Sequence, residues 1–172
     1  MGFMRGFVLL LTWLSSSFCI CAQTPKLATD LEGVWRSDGY GLLMQLAPDT
    51  LRMFETTSIS CIASRSGTVK GDQGSGASIE YLVGHSPLWI KSTKNLDELL
   101  LRMDGTASDI VFHRIQELPD VCNHEAPNTP QENYRIFWQT FAEQYPFFGL
   151  HKIDWGAADR EFRSKVTSNT SP

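Results

Sequence analysis

From Leu31 to Ile115 the chain alternates apolar and polar residues in short runs. Leu51 and Met53 flank Arg52, and Leu99, Leu101 and Met103 are interleaved with Leu100 and Arg102. A period of two puts alternate side chains on one face of an extended strand. The runs are "GVWRS" (33–37), "YGLLMQLA" (40–47), "TLRMFETT" (50–57), "SCIAS" (60–64), "GTVK" (67–70), "IEYLV" (79–83), "PLWIKST" (87–93), "DELLLRMD" (97–104) and "SDIVFHRI" (108–115). Asp38-Gly39, Pro48-Asp49 and the loop "GDQGSGAS" (71–78) punctuate them. About eight short strands with such turns predict an antiparallel meander over 31–115. A small closed barrel leaves no exposed edge, and a two-sheet sandwich is the alternative.

After a linker at 116–130 the period lengthens to about 3.6, the repeat of a helix. Thr129, Pro130 and Glu132 form a helix start with the makings of a capping box. Tyr134, Phe137, Trp138, Phe141 and Tyr145 then fall on one helical face. Pro146 should end that helix near Tyr145. Phe147, Phe148 and Leu150 continue the apolar surface through a turn, and Asp154 caps a second helix predicted over 155–166. Residues 131–166 are thus a two-helix segment, 167–172 a polar tail, and the whole an α+β chain. Aromatic rings in such a stripe need a large covering surface, since each buries 150–250 Å². The barrel could supply part of it; what it leaves bare belongs to another domain.

Composition narrows the class. The chain has 172 residues, a net charge of −4 and 42% hydrophobic residues. The mild acidity, with no Lys/Arg-rich run, argues against a nucleic-acid binder. Residues 1–22 carry Arg5, the apolar run Phe7–Leu14 and small residues up to Ala22. That is a secretory signal pattern, cleaved near Ala22, and its apolar run is too short for a transmembrane anchor. An exported chain, periplasmic or extracellular, then keeps Cys61 and Cys122, which form either a disulfide or two free thiols.

Candidate chemistry within the chain is thin. Ser75 lies in "GDQGSGAS", but Gln73 stands where a nucleophile elbow needs glycine. His85, His113, His124 and His151 lack metal-ligand spacing, and the Cys122/His124 pair has no companion C-x-x-C. Asp97-Glu98 reads as a solvated turn. No metal, cofactor or catalytic residue is assigned.

The helical phrase carries a resemblance. "FWQTFAEQYPFF" (137–148), "IDW" (153–155) and "REFRSKV" (160–166) resemble the helical lead-in of the tail-specific, tricorn-like serine peptidases. There F-W-x-x-F-x-x-x-Y-x-F-F, D-W and Y-R-x-x-V precede the peptidase core, and Phe162 stands here where tyrosine is common. "GVWRSDGYGLLMQL" (33–46) is similar to the β-rich domain that some exported members carry in front. The resemblance implies a non-catalytic part of an enzyme that cleaves peptides or unstructured protein tails. The serine nucleophile and lysine base would lie in a core domain outside the matched phrase. Docking or structural contacts are then expected at Trp35, Arg114, Tyr134, Phe137, Trp138, Phe141, Tyr145, Phe148 and Trp155.

"GVW" (33–35) is also similar to the first strand of lipocalin-like barrels, where the tryptophan packs against an arginine of the last strand. Arg114 is the residue this implies. The alternative function is therefore a free-standing binder of a small hydrophobic ligand. Against it stands a barrel filled by its own Met44, Leu46, Met53, Phe54, Trp89, Leu101 and Phe112.

Overall fold

The computed structural model describes residues 30–72 and 78–170. The leader assigned to 1–22 and Ser75 with its flanking loop lie outside the described residues. Eight antiparallel strands close into a barrel in simple sequence order. They are β1 (Gly33–Ser37), β2 (Leu42–Leu46), β3 (Thr50–Thr56), β4 (Cys61–Asp72), β5 (Ser78–Val83), β6 (Ser86–Ser92), β7 (Glu98–Met103) and β8 (Ile110–Ile115). Closure comes from β1 on β8, with Trp35 opposite Arg114. The barrel, not the sandwich, is the architecture.

The runs 60–64 and 67–70, expected as separate strands, are one long strand. Gly67, the apparent breaker, instead permits close packing: a Cβ there would sit 2.7 Å from the Leu82 carbonyl oxygen. Register shifts between Met53 and Phe54, and between Val69 and Gly71, take up extra residues in β4 without ending it.

Inward-facing Trp35, Met44, Leu51, Ile90, Leu101 and Phe112 are fully buried in one core. Each such side chain contributes about 1.5–3 kcal/mol relative to exposure. Phe54 and Trp89, expected inside, belong to the outward set. Period two forces this, since each follows an inward residue, Met53 or Leu88, on its strand. Tyr81 also points in; its hydroxyl is buried with no hydrogen-bond partner among the described residues. Burial, reinforced by Asp49, pushes it up to about 12.

One end of the barrel is plugged. Trp35 Nε1 donates to the Leu31 carbonyl at 3.0 Å, and Leu31 is itself buried. The Arg114 guanidinium lies 4.1 Å from the centroid of the Trp35 ring, and its Nη1 donates to the Glu32 carbonyl at 2.6 Å. The other end carries the connections 38–41, 57–60, 84–85 and 104–109.

Beyond β8, a 3₁₀ turn (Asp120–Asn123) holds Cys122, which is bridged to Cys61 of β4. Three helices follow: α1 (Pro130–Gln144), α2 (Phe148–His151) and α3 (Trp155–Phe162), the last running into a 3₁₀ turn over Arg163–Lys165. Thr129 caps α1 by accepting from the Glu132 N–H at 3.3 Å. The reciprocal half of the capping box does not form. The Glu132 carboxylate instead accepts from Arg135 Nε at 2.9 Å. Asp154 caps α3 by accepting from the Ala157 N–H at 2.8 Å. The segment expected as a turn at 147–150 is largely the single helical turn α2.

Candidate docking face

Helix α1 has two stripes, and they face opposite ways. Tyr134, Phe137, Trp138, Phe141 and Tyr145 form the aromatic one. Ile136, Gln139, Thr140 and Glu143 form the second, displaced by two residues or about 200° around the axis, and Gln144 lies at the margin between the two. The second stripe meets the barrel. Ile136 is buried and shares a groove with Phe54 and the Cys61–Cys122 bridge. Glu143 accepts from the Ser58 N–H at 3.1 Å and from the Ser58 hydroxyl. Gln144 Nε2 donates to the Thr56 carbonyl at 2.9 Å. Burial works to raise the Glu143 pKa, but hydrogen bonds from Ser58 and Gln139 outweigh it and hold the carboxyl below the usual range.

The aromatic stripe therefore points away from the barrel, and the ring–ring contacts of its cluster are made within residues 137–155. Its cover is local. The Trp155 ring lies parallel to Trp138, with centroids 6.4 Å apart and planes inclined by 7°. The two indoles exchange hydrogen bonds with each other's backbone: Trp155 Nε1 donates to Trp138 O at 3.0 Å, and Trp138 Nε1 to Trp155 O at 3.3 Å. Phe148 stacks on Trp155 at 5.0 Å, and Tyr145 meets Phe148 edge-on at 4.7 Å. The Tyr134 hydroxyl donates to Asp159 of α3 at 3.3 Å. Aromatic pairs of this kind contribute about 0.5–1.5 kcal/mol each beyond area burial.

Three short helices supply too little surface to finish the job. Phe137 remains 50% exposed, Phe141 40%, Phe147 48% and Phe162 47%, with Leu150 and Ile153 also open. Tyr134, Trp138, Tyr145, Phe148 and Trp155 are half-buried and build the arm, while Phe137 and Phe141 present its bare face. Trp35 and Arg114 sit in the barrel plug and share no surface with this face.

The latch residues Ser58, Glu143 and Gln144 had no place in the sequence reading. The polar members of the second stripe, spaced like the aromatics, were the available signal. Among the described residues no three His, Cys, Asp or Glu side chains lie together as metal ligands, and no helix is long and apolar enough to cross a membrane. Compared with protein-family models, curated proteins and solved structures, the chain gives no match.

Proposed function

We propose that this chain is the non-catalytic docking portion of an exported tail-specific serine peptidase relative, with the arm α1–α3 seated on a peptidase core. The bare aromatic face around Phe137 and Phe141 carries this reading. A contiguous exposed apolar patch beside a polar surface marks an interaction site. The resemblance of 137–148, 153–155 and 160–166 to the peptidase lead-in selects the core as occupant. The barrel, latched to the opposite stripe of α1, would then stand beside the core, placed to meet incoming peptide tails.

The test is sedimentation of the chain mixed with a tail-specific peptidase core from the same genome, its serine nucleophile replaced by alanine. The expected result is a complex that the Phe137→Ser/Phe141→Ser double variant abolishes. Self-association through that face with no core complex would assign it to a second copy of the chain and overturn the reading, as would a monomer throughout. The chain alone should not hydrolyse an unstructured peptide.

The lipocalin-like alternative needs room for a ligand: buried side chains crowd the barrel centre, and a cleft opens at its mouth.

A further inference from the structure

The two barrel ends differ, and the difference points to a ligand site. Opposite the Trp35 plug, the mouth holds a cleft of about 410 Å³. Its apolar lining comes from Leu42, Met53, Met103 and Ile110, and Tyr40 stands on its rim, 66% exposed. That volume falls in the range of small-molecule pockets, and barrel mouths are a common place for them. Methionine side chains adapt to irregular apolar ligands.

Arg65 decides the chemistry. It is paired across the ladder with Met53, so both project from the same, inward face. The bulge at Ser64 sits beside this pair and re-aims the strand locally. From there Arg65 reaches across the opening, and its Nη1 donates to the Met103 sulfur at 3.2 Å. A thioether is a weak acceptor. No carboxylate among the described residues pairs with this guanidinium, so most of its N–H donors are unused by protein. A second cleft of about 630 Å³ lies on the far side of the same Arg65–Met103 contact. The cation therefore stands over an apolar floor with its donors free for an anion, where hydrogen bonds are charge-assisted. Glu55 lines the same cleft and opposes that charge.

We propose that the barrel mouth binds a small amphipathic monoanion, its apolar body over Met53 and Met103 and its carboxylate on Arg65. Gln144 of α1 also lines the cleft, but the site uses none of the exposed rings of the docking face, so it stands or falls separately from the reading above.

The test follows ¹³C-methyl methionine resonances while decanoate is titrated into the full chain. Met53 and Met103 should shift, whereas Met44, fully buried in the core, stays put. Arg65→Gln should weaken decanoate at least tenfold and leave decan-1-ol unaffected. Glu55→Gln should tighten decanoate several-fold. Both positions are exposed, so neither change threatens folding. Equal decanoate affinity in wild type and Arg65→Gln would overturn the proposal. So would silent Met53 and Met103 methyls, or binding that vanishes in Phe137→Ser/Phe141→Ser and so belongs to the arm.

Discussion

Replacing both bridged cysteines, Cys61→Ser with Cys122→Ser, tests how the arm is held. The bridge spans a sequence separation of 61 residues. Loop-closure entropy for a ring of that size amounts to about 4 kcal/mol in the unfolded chain. Against a typical net stability of about 5–15 kcal/mol that is a large fraction. With a urea slope of about 2 kcal/mol/M for a domain this size, the midpoint should fall by about 2 M. Tryptophan fluorescence follows the transition, because Trp35 reports the barrel while Trp138 and Trp155 report the arm. Hydrogen exchange gives the second readout. The bridge anchors the 3₁₀ turn that leads into α1, so amides of 130–144 should exchange faster in the variant than those of β1 and β8. A midpoint shift below about 0.5 M at unchanged slope would refute the loop-entropy reasoning. Unchanged exchange in α1 would show that the Ser58 and Thr56 contacts, with buried Ile136, hold the arm without the bridge.

Three further outcomes follow from the geometry. Glu143→Gln should loosen α1 from the barrel and speed exchange in 130–144 only; because the Glu143 pKa is lowered on folding, its contribution is present above the ordinary carboxyl value near 4.3 and is lost as pH falls through the depressed value. Gly41→Ala should destabilise by about 2–3 kcal/mol in urea unfolding, since φ is +57° there and a Cβ would lie 2.0 Å from Gln144 Nε2 and 2.7 Å from the Thr56 carbonyl oxygen; adding Gln144→Ala should recover part of the loss. Tyr81→Phe should be neutral or stabilising by about 1 kcal/mol, because it removes a buried hydroxyl without a partner. It should also flatten the alkaline limb: with the folded value raised to about 12, stability is complete below pH 10 and declines as pH rises toward 12.

The barrel was legible because period two recurs in nearly every strand and the turns carry Asp, Gly and Pro at the right places. The helix boundaries were legible from Thr129, Pro130, Pro146 and Asp154, whose effects are local. Two things were hidden. Gly67 looks like a breaker until Leu82 is known to lie against it, and that contact is 15 positions away in the chain. Arg65 sits in a polar run, and only the pairing with Met53 across the bulge turns it into the mouth.

The orientation of α1 was hidden for a different physical reason. Hydropathy alone sends the richer apolar stripe toward the nearest core. Here the helix approaches the end of the barrel where the 57–60 connection and the close of β3 offer backbone groups, the Ser58 N–H and the Thr56 carbonyl, that require polar partners. Glu143 and Gln144 satisfy them, and five rings could not, because burying those groups without hydrogen bonds costs about 1–3 kcal/mol apiece. The polar needs of Thr56 and Ser58 thus fix which side of α1 meets the barrel, and geometry sends the rings outward. Trp155 and Phe148 then cover only the middle of the stripe, which is why Phe137 and Phe141 at its edge are the residues whose loss should be felt in assembly more than in folding.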